Sequence, residues 1–279
     1  MRSSVKNIDV NRVTDSGIET KPDLLAIEEP LEIRIGYGPL GDRQQKSISV
    51  TMRTPGHDFE LSLGFLFTEG IIKSFEQVES VKYCEDTGRQ EEHENVVRIE
   101  LKPEVEIDFL KLQRNFYTTS SCGVCGKSSI DAIKINCNPL PDEWKIKSTI
   151  IHGLPDKLRK AQHVFEHTGG LHASGLFDQR GELILLREDV GRHNALDKVV
   201  GAMLFKNELP LSDRVLLVSG RASFELIQKA ALAGIPVVAA VGAPSSLAVS
   251  LAQEFTMTLI GFVRNGGFNI YSAAHRVEK

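Results

Sequence analysis

The chain has 279 residues and a formal net charge of −4, from 33 basic and 37 acidic residues. This near balance argues against binding to nucleic acid or to a membrane surface as a global property of the protein. Four cysteines in a chain of this length do not make a disulfide scaffold, and they suit a reducing compartment. Residues 1–20 lack the apolar core of a signal peptide, and the uncharged stretch 230–253 is interrupted by glycines and prolines. We therefore expect a soluble, cytoplasmic protein.

The N-terminal half contains a predicted tail, a hairpin, a helix and a further strand. Residues 1–22 mix charged and small polar residues without an apolar period, and we expect a mobile tail over residues 1–25. Two segments that alternate with a period of two predict the hairpin, and the helix and the strand follow them: Leu31–Ile35, Lys46–Met52, Asp58–Phe67 and Asn95–Leu101. A short helix is predicted over Ile107–Phe116, before a loop with two cysteines.

The C-terminal half alternates regularly between strands and helices. We predict a helix over Pro155–His167, a hairpin from Leu171–Phe177 and Glu182–Leu186, and a helix over Asn194–Phe205. A β-α-β-α-β run follows in five segments: Arg214–Val218, Phe224–Ala233, Ile235–Val241, Leu247–Phe255 and Met257–Val263. Its short connections predict a parallel sheet with helices on its faces. We therefore expect an α/β protein, with a mixed α+β part at residues 26–136 and an α/β domain at residues 137–279.

Three predicted loops follow the carboxyl ends of these strands, where parallel sheets bind ligands: Ser219–Ser223, Gly242–Ser246 and Arg264–Gly267. The first two loops open helices, whose free N–H groups and positive dipole ends favour phosphate. Arg221 and Arg264 could add bidentate contacts to a phosphate or to a guanine edge. Each loop alone is explained equally well as an N-cap or a tight turn with a solvated arginine. Three such loops at one sheet edge favour an anionic ligand.

The segment Arg187–Asn194 is the densest polar run at a strand-to-helix junction. Four histidines lie within or shortly before it in the sequence: His163, His167, His172 and His193. Such a histidine is more often structural than functional, while Asn194 could cap the following helix and Asp189 could pair with Arg192. His193 is the exception, because it lies beside a glycine and an arginine at a helix start. We expect it to contact the ligand.

Two cysteines three positions apart lie in a glycine-bracketed loop, Ser121–Gly126. This spacing serves half of a zinc site, a redox dithiol, or a low-pKa thiolate that carries a group. The other two cysteines, Cys84 and Cys137, are isolated, and no histidine belongs to the H-x-E signature of zinc deaminases, which weakens the zinc interpretation. A thioredoxin-like motif would follow a strand, whereas a predicted helix precedes this loop.

A thiolate that carries sulfur as a persulfide needs a mobile, exposed cysteine with a depressed pKa. The glycine-rich loop offers mobility, Lys127 offers nearby positive charge, and the anion crevice offers a place for an acceptor. These residues favour a sulfur carrier, while metal binding and thiol-disulfide exchange stay open.

Several segments resemble the formate dehydrogenase accessory sulfurtransferase (FdhD/NarQ) family. They extend from Met52 to Tyr271: Met52–Gly56 with Glu69–Ile71, Ser121–Gly126, Thr168–Ala173, Arg187–Asn194 with Asp197–Lys198, Ser219–Glu225 and Gly261–Tyr271. The Arg187–Asn194 string and the Cys-Gly-x-Cys loop are the specific features, and the other segments are supportive.

The resemblance implies a sulfurtransferase with a cysteine persulfide intermediate. In that family a cysteine desulfurase supplies sulfur, which passes to the bis-molybdopterin guanine dinucleotide form of the molybdenum cofactor before insertion into formate dehydrogenase. By residue matching, Cys122 carries the persulfide and Cys125 is its partner. The family's cofactor-binding segment matches six residues: Phe262, Val263, Arg264, Asn265, Gly266 and Gly267.

To these residues we add Arg221 and His193 as cofactor-binding candidates, and we expect a guanine nucleotide to mimic the cofactor. The resemblance also implies a cytoplasmic homodimer and a core like that of cytidine deaminases, without their zinc ligands. Two other functions stay open: a non-enzymatic chaperone for the molybdenum cofactor, and a thiol-disulfide oxidoreductase.

Overall fold

The computed structural model of the protein describes residues 3–84, 94–108, 140 and 144–279. The cysteine loop Ser121–Gly126 and residues 109–116 of a predicted helix lie outside this part of the chain. Within it, six α-helices pack on a four-stranded and a six-stranded sheet. The predicted α/β class is therefore confirmed, while the domain boundaries and the likeness to cytidine deaminases stay predictions.

The first described residues form a hairpin where we predicted a tail. β1 (Val5–Thr14) and β2 (Gly17–Ala26) pair antiparallel along their whole length. The prediction was wrong about local structure because both faces of the hairpin are largely exposed, so no apolar period marks its strands. Ser4 Oγ donates to the Pro55 carbonyl at 3.4 Å and ties the base of the hairpin to the rest of the protein.

The four-stranded sheet has an apolar face built by alternation. Its strands, in the spatial order β4-β3-β6-β5, are β3 (Glu29–Tyr37), β4 (Gln44–Arg53), β5 (Val78–Tyr83) and β6 (Val96–Leu101). Leu31, Ile33 and Ile35 of β3 point to the same face and are fully buried. β3 and β4 are antiparallel neighbours, which confirms the predicted hairpin.

Helix α1 (Asp58–Thr68) covers the apolar face of this sheet, where a helix was predicted. Leu61, Leu63 and Leu66 are buried in one cluster with the apolar residues of β3 and β6. Burial of these leucines against the sheet stabilises the N-terminal half, because each removes a large apolar side chain from water.

The six-stranded sheet forms the core of the C-terminal half. A two-residue strand, β7 (Ile146–Lys147), precedes it and pairs with the last strand, β14 (Val277–Glu278). The six strands are β8 (His172–Phe177), β9 (Leu183–Asp189), β10 (Val215–Val218), β11 (Val237–Ala240), β12 (Thr258–Arg264) and β13 (Gly267–Ser272). Their order is β13-β12-β11-β10-β8-β9. β10, β11 and β12 are parallel as predicted, but β8, β9 and β13 are antiparallel to their neighbours, so the sheet is mixed.

Helices cover both faces of this sheet. They are α2 (Ser148–Ala161), α4 (Arg192–Phe205), α5 (Phe224–Leu232) and α6 (Ser246–Glu254), while the short helix α3 (His163–Thr168) lies against β2 of the N-terminal hairpin. Alternate residues of the central strands divide between two apolar clusters, one with α4, α5 and α6 and the other with α2. The predicted β-α-β-α-β run is therefore confirmed.

No helix in the described part of the chain combines the length and the apolar character needed to cross a membrane.

The helix predicted over Pro155–His167 is in fact two helices, α2 and α3. Pro155 lies inside α2 rather than at its start, and Gln162 separates the two helices. The apolar period continues across this break, so the sequence pattern indicates a single helix. α3 ends at Gly169, whose φ of 66° is the left-handed conformation that glycine adopts readily at a helix end.

Helices α1 and α4 cross at very short distance and join the two halves. A Cβ on Gly64 would overlap the Asp197 carbonyl, and a Cβ on Gly201 would overlap the Glu60 carbonyl. Only glycine lets the two backbones approach this closely. The crossing therefore holds the four-stranded sheet in a fixed position beside α4, the helix that begins at the candidate site.

Candidate functional site

Polar segments from several strands lie together at the edge of the six-stranded sheet where its parallel strands have their carboxyl ends. β10, β11 and β12 end at this edge, and the antiparallel strands β8 and β9 contribute their start and their end. His172 at the start of β8 lies opposite Asp189 at the end of β9. The Ser219 N–H, after β10, donates to the Ala173 carbonyl at 2.9 Å. The segment Arg187–Asn194 therefore lies beside the loops predicted to bind an anion.

Two of the three predicted loops lie side by side. The Gly242 N–H donates to the Gly220 carbonyl at 3.0 Å, and the Ser245 N–H donates to the Ala222 carbonyl at 3.0 Å. Helices α5 and α6 begin in these loops, and Ser245 Oγ caps α6 by accepting the Ala248 N–H at 3.2 Å. Two helix N-termini with positive dipole ends therefore border one crevice.

The predicted cofactor-binding segment, residues 262–267, meets this crevice through Phe262. Its N–H donates to the Gly242 carbonyl at 3.1 Å, where an irregular register interrupts β12. Phe262 has a φ of 56° and is 38% exposed. A phenylalanine in the left-handed region is strained, and such strain concentrates at functional sites. Here it leaves an aromatic ring partly exposed beside the crevice.

The remaining residues of this segment occupy different environments. Val263 is 1% exposed and packs in the apolar cluster of α2, on the other face of the sheet. Arg264, Asn265 and Gly266 are exposed at the turn between β12 and β13, which Gly267 completes. Their contribution to ligand binding stays a prediction.

Two of the four histidines lie at the crevice. His172 and His193 are partly buried there, whereas His163 and His167 are exposed on α3. His193 Nε2 lies 2.8 Å from Glu225 Oε2 and 3.2 Å from Ser223 Oγ, at the start of α5. The contact with Glu225 was not predicted from the sequence, although Glu225 ends one of the segments that resemble the FdhD/NarQ family.

His172 and Arg192 give the crevice its electrostatic character. Burial lowers the pKa of His172, and the positive charges of Arg192 and His193 act in the same direction, so His172 is neutral at physiological pH. Arg192 Nε is buried and has no hydrogen-bond partner among the described residues. Buried donors are rarely unsatisfied, and a bound anion would satisfy this one. Arg221 is exposed in the loop that opens α5.

A buried ion pair holds the start of α4 in place. Lys198 Nζ lies 2.6 Å from Asp189 Oδ2, and both side chains are at most 1% exposed. Lys198 also donates to the Thr54 carbonyl at 2.9 Å, and Asp189 accepts the Gly191 N–H at 2.8 Å. The expected pairing of Asp189 with Arg192 is therefore wrong, because the carboxylate turns inward to a lysine further along α4.

Asn194 also has a different role from the expected one. The N-cap of α4 is Gly191, and Asn194 lies within the first turn. Its Nδ2 donates to the Met52 carbonyl at 2.8 Å and to Asp189 Oδ1 at 3.0 Å, while Thr51 donates to its Oδ1 at 3.2 Å. Asn194 therefore attaches the end of β4 to the start of α4.

Lys229 anchors helix α5 to residues of α4 and of the end of α1. Lys229 Nζ lies 2.9 Å from Asp197 Oδ2 and 3.3 Å from Glu69 Oε1, and it donates to Thr68 Oγ1 at 2.9 Å. Burial acts to lower the pKa of Lys229, but the carboxylates of Asp197 and Glu69 outweigh it and raise the pKa. Lys229 stays charged and fixes the helix that carries Glu225 one turn earlier.

The pair of Arg187 and Glu60 predicts an acid-sensitive contact between β9 and α1. Arg187 donates to both oxygens of Glu60, at 2.5 and 2.8 Å. Burial acts to raise the pKa of Glu60, but Arg187 and His57 together lower it from 4.5 to about 2. A carboxyl with a depressed pKa stabilises the fold above its ordinary pKa and loses this contribution as the pH falls toward the depressed value.

We therefore expect the free energy of unfolding to fall more steeply for the wild type than for Glu60→Gln between about pH 5 and pH 2. Over this range the wild type should lose ~1–2 kcal/mol more than the variant. Urea unfolding at a series of pH values measures both slopes. Parallel curves for the two proteins would show that the ion pair contributes nothing.

No group of three or more histidines, cysteines and carboxylates in the described ranges is arranged to hold a metal ion. Cys84 is buried and free. Cys122 and Cys125 lie outside the described residues, so their roles as catalytic residues stay predictions.

These features define a mixed α/β protein with a crevice suited to an anionic ligand. The model of the FdhD/NarQ family matches residues 26–278 of the chain. The chain therefore belongs to the FdhD/NarQ family, and the resemblance in its motifs is confirmed. The match begins at the end of β2, so the N-terminal hairpin largely precedes it.

Similar proteins extend over almost the whole chain. A protein of Streptomyces coelicolor, named Sulfur carrier protein FdhD, is 51% identical over 272 residues, which cover 96% of this chain and 94% of the relative. A protein of the same name from Saccharolobus solfataricus is 42% identical over 273 residues, 98% of each chain. The crystal structure of a formate dehydrogenase accessory protein from Desulfotalea psychrophila has a TM-score of 0.75 at 23% identity and covers 99% of this chain and 100% of its own. The last comparison shows that the fold is shared.

Proposed function

We propose that the protein is a sulfurtransferase that carries sulfur as a Cys122 persulfide and delivers it to the bis-molybdopterin guanine dinucleotide form of the molybdenum cofactor. Membership of the FdhD/NarQ family and relatives named as sulfur carriers support this function. The observation that carries the proposal is the crevice, which two helix N-termini border and where Arg192, whose charge acts on Glu225, has an Nε without a hydrogen-bond partner in the described part of the chain. Such a site suits the phosphates of a dinucleotide.

Sulfur loading is an exchange between a thiolate and a persulfide, with no net oxidation or reduction. The Cys122 thiolate attacks the terminal sulfur of a persulfide on a cysteine desulfurase. One S–S bond breaks as another forms, and the desulfurase cysteine leaves as a thiolate. The product is the Cys122 persulfide.

Delivery as sulfide requires two electrons, which the cysteine pair supplies. The Cys125 thiolate attacks the inner sulfur of the Cys122 persulfide, and a disulfide forms as the terminal sulfur leaves as hydrosulfide to the molybdenum. A cellular thiol reductant then cleaves the disulfide and restores both cysteines. This role explains why the second cysteine lies three positions from the first.

The exposed aromatic and basic groups at the crevice suit the guanine end of the cofactor. Arg221 and Arg264 can form bidentate contacts to phosphate or to the guanine edge, and the Phe262 ring can stack on a flat base. We assign the turn formed by Asn265, Gly266 and Gly267 to close approach of the ligand, and Val263 to support of this turn from the core. A guanine nucleotide should mimic the cofactor.

The cellular setting follows from the family resemblance. We propose a cytoplasmic homodimer that receives sulfur from a cysteine desulfurase and serves the formate dehydrogenase apoenzyme. We also propose that its core is like that of cytidine deaminases. The main alternative is a chaperone that binds the cofactor without transferring sulfur.

Formate dehydrogenase activity in cells distinguishes these functions. In a strain without its own copy of this protein, we expect the Cys122→Ala, Cys125→Ala double variant to restore no activity, because no sulfur reaches the cofactor. Cys84→Ala, which alters a cysteine outside the pair, should restore activity. Full activity from the double variant would favour the chaperone and overturn the sulfur carrier.

A further inference from the structure

A carboxylate on one helix contacts a crevice histidine on another. His193 and Glu225 each lie in the first turn of their helices, α4 and α5, whose N-termini face the crevice. His193 Nε2 lies 2.8 Å from Glu225 Oε2. The hydrogen bond from His193 lowers the pKa of Glu225, which keeps this carboxyl ionised at neutral pH. An ionised carboxylate only accepts hydrogen bonds, so His193 Nε2 carries a proton.

The proton on Nε2 determines what the other ring nitrogen can do. No hydrogen bond or ion pair engages His193 Nδ1 within the described part of the chain, since both ring contacts are made by Nε2. Nδ1 is therefore an acceptor when the ring is neutral and a donor when the ring is protonated. A donor at this nitrogen could bind the same anion as Nε of the preceding Arg192, which has no hydrogen-bond partner among the described residues.

Ser223 and two cations act on the pair of His193 and Glu225. Ser223, the N-cap of α5, makes no capping hydrogen bond with its side chain, and its Oγ lies 3.2 Å from His193 Nε2 instead. Lys229 and Arg192 also lower the pKa of Glu225 through their positive charge. His172 of β8 also interacts electrostatically with His193, and Asp189 of β9, which acts on His172, is paired with Lys198.

We infer that Glu225 is a positioning residue: it accepts the His193 Nε2–H, so that Nδ1 is the nitrogen that takes up a proton and donates it in a hydrogen bond to a phosphate group of the bound nucleotide. The inference rests on the proposed function, because it takes the crevice as the site of the guanine dinucleotide. It goes further by assigning one side chain to the phosphates and a second one to its orientation.

Nitrogen NMR of the imidazole rings in the ligand-free protein tests the orientation. We expect neutral His193 to populate the Nε2–H form alone in the wild type. In Glu225→Gln we expect a mixture with the Nδ1–H form, because an amide can donate to Nε2 as well as accept from it. Glu208→Gln, at an exposed position after α4, is the matched control and should leave the His193 signals unchanged. Identical His193 signals in Glu225→Gln and the wild type would overturn the inference.

Calorimetric titration with guanosine diphosphate and with inorganic pyrophosphate tests the ligand contact. We expect Glu225→Gln to weaken both ligands by the same factor, about tenfold, as for the loss of one charge-assisted hydrogen bond. A loss confined to guanosine diphosphate would place His193 at the base, and unchanged affinities would remove it from the site; either result overturns the inference. If the wild type binds neither probe, the proposed cofactor site fails as well, whereas normal binding with an unaltered tautomer in Glu225→Gln refutes the inference alone.

Discussion

Replacing Lys198 with methionine is expected to lower the free energy of unfolding by about 3–5 kcal/mol, the usual cost of breaking a buried ion pair. The Lys198 ammonium lies 2.6 Å from Asp189, and neither side chain is more than 1% exposed. Its removal leaves a carboxylate buried without a countercharge. The carbonyls of Thr54 and Glu188 lose a donor as well. Methionine preserves most of the side-chain length, so lost packing is the smaller contribution.

The same substitution should weaken guanine nucleotide binding. Asp189 holds the Gly191 N–H and the Asn194 amide, so a displaced carboxylate releases the start of α4. Urea unfolding and calorimetric titration measure the two effects on the same protein.

Two further variants serve as controls for Lys198→Met. Lys206→Met, at an exposed position at the end of α4, should change stability by less than about 0.5 kcal/mol. Adding Asp189→Asn to Lys198→Met removes both charges and should recover part of the loss. A cost below about 1 kcal/mol for Lys198→Met alone would contradict the structural role of the pair.

Elements with one buried face were predictable from the sequence. The alternation in β3 and the β-α-β-α-β run mark such faces directly, because burial selects apolar residues at the period of each element. The N-terminal hairpin escaped prediction since both of its faces are exposed. The break between α2 and α3 at Gln162 was not predicted, because the apolar period of the sequence continues across it.

The candidate site was predictable in its loops and not in its ion pairs. Helix starts after parallel strands mark the crevice locally, so the loops with Arg221 and Ser245 were found. Lys198 contacts Thr54 across 144 positions of the chain, and nothing near either residue indicates the other. Contacts of this kind depend on how α1 and α4 cross, which the glycine pair permits but no local period reveals.

Cys122→Ala is expected to abolish sulfur loading, and no other single substitution should have a larger effect on function. The persulfide needs a thiolate to accept the sulfur, and alanine offers none. Cys125→Ala should act differently, because the persulfide still forms but lacks the thiolate that releases it. We therefore expect the adduct to accumulate in Cys125→Ala.

Intact mass spectrometry after incubation with a cysteine desulfurase and cysteine tests the central claim most directly. We expect Cys125→Ala to gain the mass of a sulfur atom and Cys122→Ala to gain none, while the wild type carries either the added sulfur or the Cys122–Cys125 disulfide that its release leaves behind. Absence of any adduct on Cys125→Ala, or an adduct that survives in Cys122→Ala, would contradict transfer through Cys122.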